Sequence, residues 1–436
     1  MSNTASLVTA LSTHLASSRE RDRLPAIAAA ALLHGEVVWR DACGVDADGS
    51  PVGLDHQFRI GSITKTITAV EVLRLRDEGA LALTDPIGAH LPELGHLAVS
   101  IAQLLTHTSG MQAETNGPWW ERSRGVTWPE LVALKPRLAL TPGTRFHYSN
   151  VGFAILGELV ARLRRTSWWE AVQSGVLAPL GMSRTTYAAA APAATGLAVH
   201  PQEPWQLVEP AEDAGAMAPA GQLWATVGDL ATWAQFVANG NDAVLSTASL
   251  REMQVPLAID DKPGQAWMTA QGLGWRVWGT GSRRFLGHGG SMPGFLATVK
   301  VDPASGLGVV LATNSTNGLG HTVDELIELL LTHERPVVVA PGLPTADVES
   351  LAGEWFWGPE RFVLAPTGGD TFILGNGPAG RTSRFVRDGE AWVGLDTYFA
   401  GERLHVVADD QLELASFVLT REPYPHERWY PAPSPQ

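Results

Sequence analysis

The chain has one cysteine, Cys43, in 436 residues, so no internal disulfide can close. Histidine and cysteine do not cluster at ligand spacing either, which leaves no expectation of a structural zinc or any other metal or cofactor. Lysine is nearly as scarce, with only Lys65, Lys135, Lys262 and Lys300. No long Lys/Arg run and no RNA-binding motif offsets a net charge of −14, and this argues against nucleic acid or an anionic membrane surface as a partner. Long apolar runs are missing too: Ile27 to Leu33 is too short to span a bilayer. Met1 to Arg23 is largely polar, ends in Arg19-Glu20-Arg21-Asp22-Arg23 and has no apolar core of an export signal. These absences predict a cytoplasmic protein. There is no internal repeat and no low-complexity segment.

What is present is a chain of enzyme size. With 45% hydrophobic residues it can bury one large core and have residues left for a second, smaller unit. Pro336, Pro341, Gly342 and Pro344 interrupt any regular pattern. The predicted organisation is therefore a domain over 1–335, a linker over 336–350 and a small antiparallel β-domain over 351–436, a lipocalin-like barrel. Runs such as Arg361 to Leu364, Thr371 to Leu374, Ala391 to Gly394, Arg403 to Val407 and Ser416 to Leu419, separated by glycine, proline and acidic turns, supply its strands. Before the boundary the pattern reads as a strand pair joined at His34-Gly35, a helix after Ser62, and a mostly helical insertion to about residue 240. Strands follow around Gly272 to Trp278, Phe295 to Val301 and Gly308 to Leu311, then a helix from Thr322 to Leu331. That is an α+β arrangement.

Three short strings carry chemistry: Ser62-Ile63-Thr64-Lys65, Tyr148-Ser149-Asn150 and His288-Gly289-Gly290. A hydroxyl is a poor nucleophile at neutral pH and needs a base beside it. A lysine three residues along a helix stands one turn away on the same face. Ile67, Val70, Leu73 and Leu75 continue an apolar stripe until Gly79 ends it, so Ser62 opens a buried helix. Its N–H then lies at the positive end of the helix dipole, where an oxyanion is stabilised. With 24 serines and four lysines, a Ser-x-x-Lys pair arises by chance roughly 0.2 times in a chain of this length, and its plain alternative is a helix cap followed by a surface lysine. The surroundings decide against that alternative: Phe58-Arg59-Ile60-Gly61 before the serine, Leu104-Leu105-Thr106-His107-Thr108-Ser109-Gly110 after it, and Pro142-Gly143-Thr144 leading to Tyr148.

With these strings, and with Pro179-Leu180-Gly181-Met182, Pro219 to Thr226, Gly272 to Trp275 and Gly287 to Ser291 running into Pro293-Gly294-Phe295, the sequence resembles the penicillin-binding-protein and class C β-lactamase-like serine hydrolases over about residues 20 to 335. The resemblance implies an antiparallel sheet flanked by helices, an all-helical lobe, and a site between them. It implies Ser62 as nucleophile, with Lys65 and Tyr148 sharing the proton and a cationic Lys65 lowering the phenol until it acts as base. Asn150 holds Lys65 and a substrate amide, His288 steadies Tyr148 or substrate from a facing edge strand, and the N–H groups of Ser62 and Ser291 form the oxyanion hole. Gly221, Gly289 and Gly290 line the substrate site. His288 stands where many members carry lysine, a replacement common in the peptidase, esterase and cyclase branches. His107 reads as structural.

Trp119, Trp120, Trp128 and Trp224 fall where that family builds its cleft walls, and an apolar cleft suits a hydrophobic peptide or ester. Placement and length resemble the penicillin-binding-protein-type thioesterases. The first expectation is accordingly release and macrocyclisation of a nonribosomal peptide, delivered as a small acyl donor or on a peptidyl carrier protein, with Arg421 binding a substrate carboxylate. A D-aminopeptidase or carboxylesterase using the same acyl-enzyme is the alternative. A catalytically silent binding module is the third reading, and the intact Ser62, Lys65, Tyr148 and Asn150 count against it.

Overall fold

A computed structural model describes residues 2–203, 205–281, 283–333, 343–377 and 380–423. The chain divides into two compact units, Met1–Arg335 and Pro336–Gln436.

The first unit begins with a helix that a strand-first reading overlooks. Helix α1 (Ser2–Arg21) seats Leu7, Leu11 and Leu15 against a sheet, one side chain per turn. Strands β1 (Ala26–Leu33) and β2 (Glu36–Gly44) form the expected hairpin, and His34 and Gly35 both take positive φ, 53° and 77°, as a tight turn between right-twisted strands requires. Ala26, Ala28, Ala30 and Leu32 of β1 belong to one core cluster, Ile27, Ala29 and Ala31 to another. Burial on both faces explains why this strand is an unbroken apolar run.

Six further strands complete one antiparallel sheet: β3 (Ala258–Ile259), β4 (Thr269–Gln271), β5 (Arg276–Thr280), β6 (Arg283–Met292), β7 (Phe295–Asp302) and β8 (Leu307–Thr313), in the order β2-β1-β8-β7-β6-β5-β4-β3. Five helices matter for the site and its support: α2 (Ile63–Asp77), α3 (Asn150–Arg164), α4 (Ala218–Gly221), α5 (Val227–Asn239) and α6 (Thr322–His333). Leu326, Ile327 and Leu330 of α6 share a cluster with α1 on one face of the sheet, while α2, α3 and α5 bury their apolar sides in the larger cluster on the other. A buried ion pair ties α2 to α3: Glu71, 1% exposed, accepts from Arg164 Nε at 2.5 Å. No helix among the described residues is long and apolar enough to cross a membrane.

In the second unit the expected linker ends earlier than its composition implies. Residues Ala346–Leu351 form helix α7, and Val348 and Leu351 are buried in the core of the barrel that follows. Pro336, Pro341 and Gly342 lie outside the described residues. Eight strands close into an antiparallel barrel, each pairing with the next in sequence and the first with the last through Phe356 opposite Thr420. Gly353–Trp357, Ser383–Asp388 and Gln411–Leu414 join the five runs legible in the sequence. The interior is filled by Trp355, Phe362, Phe372, Phe385, Trp392 and aliphatic neighbours at alternate positions.

Candidate active site

Ser62 occupies the N-cap of α2, yet its side chain makes no capping hydrogen bond. Its Oγ instead receives Lys65 Nζ at 2.8 Å, and Nζ also donates to the Ala220 carbonyl of α4 at 2.6 Å. Lys65 is fully buried, and loss of hydration lowers its amine to about 7, with the charges of Glu114 and Glu121 opposing the shift. Near neutral pH much of this lysine is free amine, which can take the 2.8 Å contact in the opposite sense and accept from the Ser62 hydroxyl, as a general base requires. The second partner of Lys65 is thus the Ala220 carbonyl, where the family resemblance implied Asn150.

Tyr148 enters from the other lobe. Ser149 caps α3, accepting from the Gly152 N–H at 3.0 Å and donating to the Gln112 carbonyl at 2.6 Å. His107 braces the same turn: its Nδ1 accepts from the Ser149 N–H at 3.1 Å, and its ring lies 4.4 Å from that of Tyr148. Tyr148 and Ser62 line the same cleft, and Lys65 Nζ stands 5.0 Å from the phenol ring centre. Burial dominates the phenol and pushes its pKa well above the ordinary tyrosine value. In the resting site the phenol is thus a neutral hydroxyl, where the expectation made it the base. Lys65 is the group poised near neutrality, and Tyr148 is a neutral hydroxyl that can pass a proton between Ser62 and a leaving group.

His288 sits on β6 where the sheet opens. That strand pairs with β5 only from Arg283 to Gly287, whereas its pairing with β7 continues to Met292. From His288 onward one edge faces the site inside an eight-stranded sheet. His288 Nδ1 contacts the Gly289 carbonyl at 2.5 Å and so carries the hydrogen, which leaves Nε2 a buried acceptor without a partner, the ring 6.0 Å from that of Tyr148. Burial and the nearby Lys65 push this imidazole down to about 3, so it is neutral. A Cβ on Gly290 would collide with the Ile60 carbonyl and lie 3.3 Å from the Ser62 nitrogen, and one on Gly61, at φ 51°, would collide with the Ser291 backbone. Only glycines let β6 approach the start of α2 this closely, so the Ser62 and Ser291 N–H groups stand on facing backbones.

The cleft around Ser62, of about 670 Å³, is lined by Tyr148, His288, Gly289, Gly290 and Ser291, with Phe146, Arg276, Trp278 and Leu296. The four tryptophans expected as its walls lie elsewhere. Trp224 is 5% exposed and packs edge-on against Phe295 in the core. Trp119 is 60% exposed beneath the Arg122 guanidinium. Trp128 lines a separate cavity of about 420 Å³ with Trp168 and Trp169. Trp120 is buried, and its ring tip lies 3.3 Å from where a Cβ on Gly221 would stand. Spacing between motifs could not distinguish core from cleft for these residues, whereas Trp278 was hidden inside an ordinary strand.

Two residues went unrecognised in the sequence. Glu114 accepts from Asn150 Nδ2 at 2.6 Å and from Trp120 Nε1 at 2.7 Å. Arg276 donates to Asp260 at 2.8 Å, lies over Phe146 at 5.0 Å, and has a buried Nη1 with no partner. Arg276 is the guanidinium that lines the cleft. Arg421, expected to bind a carboxylate, is engaged inside its own unit: it donates to the carbonyls of Ala352, Glu354 and Ser350 at 3.0, 3.3 and 2.8 Å and stacks 4.0 Å over Trp355.

Comparison with known proteins agrees with this fold. The chain is 28% identical over 243 residues to beta-lactamase-like protein 2 of Dictyostelium discoideum, a match covering 51% of this chain and 44% of that protein, so it spans less than half of that relative's length. It is 27% identical over 304 residues to the D-alanyl-D-alanine-carboxypeptidase/endopeptidase AmpH of Escherichia coli K12, covering 63% of this chain and 77% of that one. Among solved structures, the D-amino acid amidase of Ochrobactrum anthropi SV3 superposes with a TM-score of 0.66 at 26% identity, over 76% of this chain and 100% of that one. Residues 344–421 match a domain of unknown function, DUF7586. Residues 11–333 match the family described as Beta-lactamase, and because that stretch spans both walls of the cleft and most of the sequence, the chain belongs to the beta-lactamase family.

Proposed function

We propose that this chain is a serine hydrolase that forms an acyl-enzyme at Ser62 from an amide or ester of a D-amino acid or short D-terminated peptide, and releases it to water. The observation that carries the reading is the 2.8 Å contact between Ser62 Oγ and a buried Lys65 whose amine is lowered to about 7. In the first step the Ser62 proton passes to Lys65 as Oγ attacks the acyl carbon. The oxyanion is met by the Ser62 and Ser291 N–H groups; as the tetrahedral centre collapses and the bond to the leaving group breaks, Tyr148 gives its proton to the departing nitrogen or oxygen and takes the one that Lys65 holds, so both return to their starting states. The unpartnered Arg276 Nη1 in the cleft suits a carboxylate on the leaving group. Stereochemical preference is drawn from the carboxypeptidase and amidase named above.

A second reading replaces water by the substrate's own amine, so that a peptidyl thioester, free or on a carrier protein, is released as a ring. It is favoured by one observation: the amidase likeness covers all of that enzyme but only 76% of this chain, which has a barrel beyond it. Rates on D- and L-phenylalanine amide, p-nitrophenyl acetate and a peptidyl thioester mimic with a D-residue at the acyl end, with products read by mass, separate the readings. We expect hydrolysis with D over L by tenfold or more. L-preference would overturn the D-specific reading, and a cyclic main product would favour the second.

A further inference from the structure

Resting on the acyl-enzyme reading, a further assignment concerns Glu114, which no sequence motif marks. It lies in the loop after the Thr106-His107-Thr108-Ser109-Gly110 string, and that loop is tied to the start of α3: the Asn150 N–H donates to the Ala113 carbonyl at 2.8 Å, and Gln112 Nε2 donates to the Glu114 carbonyl at 2.6 Å. Both oxygens of the Glu114 carboxylate are used, one by Asn150 Nδ2 and one by Trp120 Nε1. An ionised carboxylate only accepts, so it forces the NH2 of Asn150 toward itself and leaves Oδ1 on the other side as the free acceptor. That Oδ1 is buried and has no partner, a costly state for a carbonyl unless a donor arrives during the reaction. Once Lys65 has taken the Ser62 proton it carries three N–H donors, and the resting site provides it with the Ser62 and Ala220 oxygens.

We propose that Glu114 is a positioning residue: its carboxylate orients the Asn150 amide so that Oδ1 receives the third N–H of the Lys65 ammonium formed when Ser62 gives up its proton. The carboxylate also acts on that ammonium through its charge, which favours the protonated lysine. The other titratable or charged groups about Lys65 are Tyr148, His107, His288, Glu121 and Arg276; His107 is held well below its ordinary value and His288 at about 3, so both are neutral there.

Orientation and charge separate in three variants, read by the pre-steady-state acylation burst with p-nitrophenyl acetate across pH, after thermal melts confirm folding. Glu114→Gln has one acceptor for two N–H donors. Its plateau rate should fall on the order of tenfold, and its acid limb should move to lower pH because the ammonium loses a counter-charge. Glu114→Asp keeps the charge but is too short to hold both partners, so its plateau should fall while its limb stays. Combining Glu114→Gln with Trp120→Phe frees the single amide oxygen for Asn150, so the plateau should return to within about threefold of wild type with the limb still low. An unchanged plateau in both single variants, or no recovery in the double variant, overturns the proposal. If the wild-type protein shows neither burst nor covalent adduct, the acyl-enzyme reading fails instead, a result distinct from any of these.

Discussion

The interior of the barrel and the surroundings of Ser62 are packed on different terms. In the barrel the buried residues are aromatic and aliphatic, Trp355, Phe362, Phe372, Phe385 and Trp392 among them, and Ser383 is its only buried polar or charged residue among those described. In the first unit Lys65, His107, Asn150 and His288 are all buried, and the last three each have a polar atom without a partner. Packing of the first kind favours a single folded state. Packing of the second kind costs stability and is kept where unmet hydrogen-bonding capacity and a displaced lysine pKa are needed for reaction. The barrel is built to fold, while the cleft is built to react.

That contrast can be broken at several points. Ser62→Ala should remove covalent labelling by a fluorophosphonate and lower turnover on the order of 10⁴-fold or more, with the thermal midpoint kept; labelling that persists would displace the nucleophile from Ser62. Tyr148→Phe should slow acylation by about 10²–10⁴-fold without changing the melt, because only a hydroxyl is lost, and stopped-flow acylation with an unchanged rate would remove the tyrosine from the proton path. In the barrel, Phe372→Ala should cost about 3–5 kcal/mol, measured as lost denaturant resistance of that unit, since it opens a hole in an interior of large rings.

Acylation should rise with pH through about 7, because the base is the free amine of Lys65, whose proton affinity burial has lowered; below that point the rate should fall roughly tenfold per pH unit as the amine is protonated. His288, neutral down to about 3, adds no further limb near neutrality. A flat pH profile would contradict a lysine base. The smallest effect sharpens the contrast most. Lys65→Met should abolish acylation yet leave stability within about 1 kcal/mol of wild type or above it, whereas a large loss in the melt would show that this lysine holds the fold together.

Much of this was legible in the residues. An unbroken apolar run meeting Glu36 through His34-Gly35 announced the hairpin, short runs between glycine, proline and acidic turns announced five of the barrel strands, and Ser62 and Lys65 stood at a spacing with a chemical reason, while Tyr148 was marked by the family resemblance. The start of the chain was harder to read, since α1 holds its place with Leu7, Leu11 and Leu15 alone in a polar stretch. Helix α7 was masked by the prolines and glycine around it. The tryptophans misled because an indole between two motifs reads the same whether it packs inward, as Trp224 does, or lies on the surface, as Trp119 does.

The sequence by itself marked the candidate groups and the order in which they occur, because a serine and a lysine one helical turn apart are a local relation along the chain. The tertiary structure decided which of these groups burial brings near neutrality, which cation lines the cleft and which carboxylate Asn150 meets. Those depend on how much water each group has lost and on partners 36 and 16 residues away, Glu114 with Asn150 and Arg276 with Asp260, and desolvation and hydrogen bonds between distant residues exist only once the chain has folded.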